Sequence, residues 1–276
     1  MEATLRMPAQ PTMRLLRLLA GEGHRVITVD QARAFAPKAG VADSYLRQAL
    51  CHLTKAGWLV RLRQGLYALA ATVPGVSSAH EFEIAMTLVP SGAVSHWSAL
   101  HYHGLTEQAP RKVFVLTAAN SPIPQSHRHK ESQGGIAVGE TVYQFIRVRP
   151  ERFFGTQKVW VGDARVTITD PERTLLDGLM MPQYCGDFAE MLHAFAVRAN
   201  QLDVNRIIDY AIKLDAATAK RLGWILQQQG VGTAQLQPLV DVPIKGYRTL
   251  DPTGPRRGPC NRHWMIQENL PGKVTL

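Results

Sequence analysis

Residues 43–56 read DSYLRQALCHLTKA. Leu46, Leu50 and Leu53 fall at i, i+4 and i+7, so they form one apolar stripe of a helix. Ser44, Tyr45, Arg47, Gln48, His52 and Lys55 lie off that stripe. These are the residue types that reach base edges and phosphates from a helix in a major groove. The spacing therefore predicts a DNA-reading helix over 43–56. Cys51, in the same helix, is expected as a small buried apolar residue.

Upstream of this helix, TMRLLRLLA over 12–20 reads as a short amphipathic helix ended by Gly21 and Gly23. Val26 to Val29 is a β-branched run and a strand candidate. Asp30 is placed to N-cap a helix over 31–36, which Pro37-Lys38-Ala39-Gly40 would break. Downstream, Gly57 closes the 43–56 helix. Residues 58–62 (WLVRL) form a strand, Arg63-Gln64-Gly65 a tight turn, and 66–69 (LYAL) the returning strand. Three helices followed by a hairpin predict a winged helix-turn-helix over 1–72. Lys38 stands just before its reading helix. Arg61 and Arg63 in the wing would reach phosphates or a minor groove. Arg47 and Gln48 have the geometry for bidentate contacts to guanine and adenine respectively. Arg14, Arg17 and Arg25 could extend the same footprint.

The charge distribution points the same way. The 276-residue chain carries a formal charge of +9. Residues 1–75 hold ten Lys/Arg against four Asp/Glu, residues 76–244 fifteen against sixteen, and residues 245–276 six against two. A basic module at each end of a neutral body is the footprint of a polyanion partner. No stretch approaches the roughly 18 consecutive apolar residues of a membrane span. The first residues lack the apolar core and small-residue cleavage site of a signal peptide, so a cytoplasmic protein is expected. Cys51, Cys185 and Cys260 are far apart and include no CxxC pair, which argues against a disulfide framework or a cysteine zinc site.

Residues 71–79 (ATVPGVSSA) read as a linker, with a helix following over 80–88. The second domain, 73–276, divides into a strand-rich part over 90–169, a helical part over 170–230 and a basic tail over 243–276. A helix is expected over 94–102, and strands over 111–117, 141–148, 158–161 and 164–168. Asp170 and Pro171 open the helical part as N-cap and first helical residue. The stretch HWMI at 263–266 could return to the sheet. The fold class is thus α+β: an N-terminal winged helix-turn-helix, then a mixed α/β domain with a helical C-terminal half.

No catalytic constellation emerges. His96, His101 and His103 are spaced by five and two residues, and helical zinc sites want four. His96 and Trp97 are expected to pack and hydrogen-bond within the domain, and His127 and His129 to sit in an exposed loop. Asp170 and Glu172 suit the N-cap and first turn of a helix, and Asp177 is one turn from Arg173, a pairing distance. No P-loop, GxGxxG or GxSxG is present. Neither metal nor cofactor is expected.

Several segments resemble, in order, the AbiEi-type antitoxins, also described as transcriptional regulators of viral defence systems. They are RQGLYAL (63–69), SHWSALHYHGLTEQAP (95–110), ITDPERTLLDGL (168–179), KRLGWIL (220–226), LDPTGPRRG (250–258) and NRHW (261–264). The resemblance implies a type IV toxin–antitoxin, or abortive-infection, function in phage defence. A winged helix would bind inverted repeats in the protein's own promoter and repress it. The second domain would counteract a nucleotidyltransferase-like toxin without a stable antitoxin–toxin complex. From the residues themselves, the basic tail (Lys245, Arg248, Arg256, Arg257 and Arg262) reads either as a solvated tail or as a nucleic-acid contact, RNA among them. Two other readings stay open: a DNA-targeted metal-dependent nuclease using Asp170 or Asp177, and a regulator without a toxin that senses a ligand near His96 and His101.

Overall fold

The computed structural model describes residues 10–70, 73, 79–123 and 135–270. Most of the expected linker, together with His127 and His129, lies outside the described residues. Among the described residues the chain forms ten α-helices and three sheets. It groups into two compact units. One comprises Met1–Pro90, Pro122–Tyr143 and Trp160–Ala164; the other comprises Ser91–Ser121, Gln144–Val159 and Arg165–Leu276.

The first unit begins with α1 (Gln10–Gly21), β1 (Val26–Thr28), α2 (Val29–Ala39) and α3 (Asp43–Lys55). The hairpin of β2 (Leu59–Arg63) and β3 (Leu66–Leu69) follows, and then α4 (Glu81–Leu88). Leucine spacing dictates the packing. Leu15, Leu16 and Leu19 of α1 meet Leu46, Leu50 and Leu53 of α3 in one core, all at most 2% exposed. Strand β1 pairs antiparallel with β3, which pairs with β2, giving the sheet order β1-β3-β2. Gly65, at φ 76°, makes the turn between β2 and β3, and its carbonyl accepts from the Val29 amide at 3.0 Å.

Two local expectations are corrected here. The N-cap of α2 is Thr28, not Asp30. Thr28 Oγ1 accepts from the Gln31 amide at 3.1 Å, and the Thr28 amide donates to Gln31 Oε1 at 2.8 Å, a reciprocal capping box. Nor does α2 break at Pro37. It runs to Ala39 and ends at Gly40 in the left-handed conformation, φ 73°. Pro37 sits in the last turn, where its missing N–H costs one hydrogen bond and only Lys38 and Ala39 follow before the helix ends.

The six-stranded sheet has the order β6-β7-β5-β4-β9-β8. Its strands are β4 (Ala93–Val94), β5 (Lys112–Ala118), β6 (Gly135–Val138), β7 (Thr141–Val148), β8 (Thr156–Val161) and β9 (Ala164–Thr169). The expected helix over 94–102 starts later. Ala93 and Val94 form a strand paired on both sides, to β5 and β9, and α5 spans His96–Tyr102. Two fully buried residues show no alternation, so the sequence offered no strand signal there.

The helical part of the second unit comprises α6 (Pro171–Met180), α7 (Phe188–Arg198), α8 (Val204–Leu214), α9 (Ala216–Gln228) and α10 (Thr233–Asp241). Its core runs from Leu175 and Phe188 through Phe195, Ile207 and Leu222 to Trp264. Close approaches are made at glycines. A Cβ on Gly178 would lie 2.2 Å from Met191 Sδ, and one on Gly223 would lie 2.0 Å from a Trp264 ring carbon. Trp264 thus seats in a notch on α9. Its indole N–H donates to Gln227 Oε1, while Trp224 Nε1 donates to Glu268 Oε1 at 2.7 Å. The segment after residue 263 does not rejoin the large sheet. It supplies β12 (Ile266–Gln267), the middle strand of a separate three-stranded sheet between β10 (Arg248–Thr249) and β11 (Cys260–Asn261). No helix among the described residues is long and apolar enough to cross a membrane.

Candidate nucleic-acid interface

The apolar stripe of α3 faces inward, so the residues between the leucines face outward. Ser44, Arg47, Gln48 and Lys55 are exposed. No hydrogen bond or ion pair ties their side chains to another described residue. Cys51 is exposed among them, contrary to the expectation from its residue type. Its helical position decides the matter, since it falls one turn from both Arg47 and Lys55. That spacing was available in the sequence.

Tyr45 and His52 behave differently. Both are half-buried, and they engage each other: Tyr45 Oη lies 3.3 Å from His52 Nδ1, with the rings edge to face at 6.2 Å. They brace the flank of the helix and do not stand free. Lys38, in the last turn of α2, is exposed, with its ammonium 5.5 Å from the Phe35 ring centroid. Arg61 and Arg63 are both exposed on β2, and the register with β3 shifts between them. Such a break in register on an edge strand re-aims the side chains beside it. The two arginines have no carboxylate partner among the described residues.

Two other arginines of the unit, Arg25 and Arg33, are already committed. Arg25 does not extend the footprint: its guanidinium is held by Glu83 and Asp163, each at 3.3 Å. Arg33 bridges Asp30 and Asp43, each at 2.8 Å. Those two carboxylates, Asp43 foremost, raise its pKa above the ordinary value. The bridge also offsets the one acidic residue in the first turn of α3. Arg14 and Arg17 are exposed on α1. Arg25 and Arg33 thus take up Asp30, Asp43, Glu83 and Asp163, and the cations of α3 and the hairpin are left open.

The residues that could have carried chemistry in the second unit are occupied. Asp170 caps α6, its Oδ1 accepting from the Arg173 amide at 2.8 Å and its Oδ2 from Tyr210 Oη at 3.0 Å. Burial raises its pKa. Asp177 accepts from Arg173 Nε at 2.9 Å in a fully buried pair. Arg173 Nη1 donates onward to the carbonyls of Arg152 and Phe154, and its guanidinium lies 4.6 Å from the Phe154 ring centroid. Glu172 faces Arg198 and Arg206 at 3.9 and 3.6 Å. Each carboxylate meets at least one donor or cation around α6, although Asp177 Oδ2 and Arg173 Nη2 are buried without a hydrogen-bond partner among the described residues.

The histidines are not gathered either. His101 is exposed, whereas His96 is fully buried. His96 Nδ1 lies 2.9 Å from Ser95 Oγ, and its Nε2 is without a protein partner. Burial lowers its pKa to about 4. Trp97 is packed, but its indole N–H also lacks a partner. His103 Nε2 pairs with the Thr169 carbonyl at 2.8 Å, and burial lowers its pKa as well. Among the described residues no group of three or more His, Cys, Asp or Glu is arranged to hold a metal ion.

Comparison with known proteins bears on this geometry. Residues 13–70, the segment from α1 through the hairpin, match the family described as "Transcriptional regulator, AbiEi antitoxin". No curated protein matches the chain. Among solved structures, the fold is similar to that of the RV2827C protein from Mycobacterium tuberculosis, with a TM-score of 0.71. The sequences are 13% identical over 95% of this chain and 92% of that one, a likeness of fold alone.

Proposed function

We propose that this chain, whose residues 13–70 carry the transcriptional-regulator module of the AbiEi antitoxin family, is a DNA-binding autorepressor and the antitoxin of a type IV toxin–antitoxin pair. The observation that carries the reading is the outer face of α3 with the adjoining hairpin. Ser44, Arg47, Gln48, Lys55, Arg61 and Arg63 are all exposed and have no ion-pair partner among the described residues, while Asp30, Asp43, Glu83 and Asp163 of the same unit pair with Arg25 and Arg33. Taken as a winged helix-turn-helix, the module sets α3 in the major groove and the hairpin against the backbone. Arg47 and Gln48 then read bases, and Lys38, Lys55, Arg61 and Arg63 hold phosphates. Two protomers on an inverted repeat would occlude the promoter and limit expression of the antitoxin together with its nucleotidyltransferase-like toxin. The protein acts by binding and not by catalysis, and the second unit counters the toxin without a stable complex.

The test is a gel shift on the protein's own upstream DNA over a salt series. An Arg47→Ala/Gln48→Ala variant should lose discrimination between operator and unrelated duplex by about 1–3 kcal/mol per base contact. An Arg61→Ala/Arg63→Ala variant should weaken both complexes alike and flatten the salt dependence by ~1.8 in log–log slope. Equal binding of the wild type to operator and unrelated DNA would overturn the reading.

A further inference from the structure

The segment 251–259 (DPTGPRRGP) has the composition of a loose connection, yet it is tightly held. Asn269, itself buried, stitches it from inside. Its Oδ1 accepts from the Asp251 amide at 2.8 Å, and its Nδ2 donates to the carbonyls of Asp251 and Pro255 at 2.9 and 3.1 Å. Asp251 Oδ1 accepts from the Thr253 amide and hydroxyl at 2.8 and 2.7 Å. The Glu268 amide closes the far end on the Pro259 carbonyl at 2.8 Å. Glycine is required twice. A Cβ on Gly254 would lie 2.7 Å from Asn269 Nδ2, and one on Gly258, at φ 112°, would lie 2.0 Å from the Glu268 carbonyl oxygen. Between those two glycines stand Arg256 and Arg257, both exposed.

The surroundings leave these arginines without countercharge. Residues 245–270 contain five Lys/Arg and two Asp/Glu. Both carboxylates take neutral donors: Asp251 from Thr253, and Glu268 from Trp224 and Asn261. Lys245, Arg248, Arg256, Arg257 and Arg262 are all exposed and enter no ion pair among the described residues. Tyr247, immediately before Arg248 of β10, is 41% exposed. A loop fixed in advance spends little conformational entropy on binding, and arginine pairs suit phosphate oxygens. An exposed aromatic ring beside such cations offers a stacking platform for an unpaired base.

We propose that this C-terminal module is a second nucleic-acid site, which binds an unpaired strand with Arg256 and Arg257 on its phosphates and Tyr247 on a base. It stands on the second unit alone, whereas the operator reading rests on the first, so either can fail without the other.

The experiment is fluorescence anisotropy of the full chain with a labelled single-stranded RNA of mixed sequence, the DNA strand of the same sequence, and the upstream duplex. The wild type should bind an unpaired strand, and the RNA and DNA arms identify which kind it prefers. Arg256→Ala/Arg257→Ala should weaken that binding about tenfold and lower the salt slope by ~1.4, with the duplex complex unchanged. Tyr247→Ala should cost about fivefold or more on the strand with no change in salt slope. Near-ultraviolet circular dichroism confirms that the variants keep the wild-type fold. Undiminished strand binding by the double variant would overturn the proposal. So would a loss seen only on the duplex, which would make the loop part of the operator contact.

Discussion

His96 makes the stability of the second unit depend on pH in a calculable way. The ring is fully buried, 5.8 Å from Tyr184 and 6.5 Å from Phe114 by ring centroids. Burial is the main influence on its pKa. The Asp177 charge opposes it, the Arg173 charge adds to it, and the result is about 4 against an ordinary 6.5. The unfolded chain therefore takes up this proton first as the pH falls. Stability is greatest above pH 6.5, declines between 6.5 and 4, and loses nothing more from this group below 4. A gap of about 2.5 pH units corresponds to about 3 kcal/mol at most. His96→Asn removes the titration, and asparagine tolerates the positive backbone angle here, φ 49°. Urea unfolding followed by tryptophan fluorescence, from pH 7.5 to 4.5, gives the free-energy difference between wild type and variant at each pH. That difference should move by about 2–3 kcal/mol against the wild type as the pH drops. His103 titrates in the same direction but is common to both proteins, so it cancels. A difference that stays constant across the range would refute the reasoning and mean that His96 is not held neutral.

Three further outcomes follow from geometry already described. Gly223→Ala should lower the urea midpoint by an amount worth about 3 kcal/mol, with red-shifted tryptophan emission, because Trp264 must leave its notch; an unchanged midpoint would mean the notch relaxes freely. Asp177→Ala should cost about 3–5 kcal/mol by leaving the Arg173 guanidinium buried without its carboxylate, and Arg173→Met/Asp177→Leu should recover part of that loss. Thr28→Ala removes the capping box of α2 and should cost about 1 kcal/mol, read by the same urea titration; a cost near zero would make Asp30 the effective cap.

The helices and the hairpin of the first unit were legible because their signals are local. Leu46, Leu50 and Leu53 repeat at helical spacing, and Gly65 marks the turn between β2 and β3. The cap at Asp170 was legible for the same reason, with Pro171 fixing the first helical residue. What the sequence concealed is set by partners distant along the chain. Arg25 looks like any other cation of a basic module until Glu83 and Asp163 close on it. Cys51 was assigned by residue type, although the helix period places it outside. The two-residue strand β4 and the helix α10, which contains Pro238, carry no strong periodicity. The segment 251–259 reads as loop because of its Gly and Pro, and only Asn269 and Glu268 give it order.

The notch at Gly223 also governs the order in which this protein can be completed during synthesis. Helix α9 leaves the ribosome some forty residues ahead of the tryptophan that fills its groove. Until Trp264 arrives, Leu222, Ile225 and Leu226 have a core open on one side. Domains fold as units as they emerge, and apolar surface left uncovered meanwhile invites aggregation or chaperone capture. A chain released early, at 250 for example, would keep every helix of the second unit and still lack its closing wedge. The same indole is thus the large side chain needed to close the core over α9.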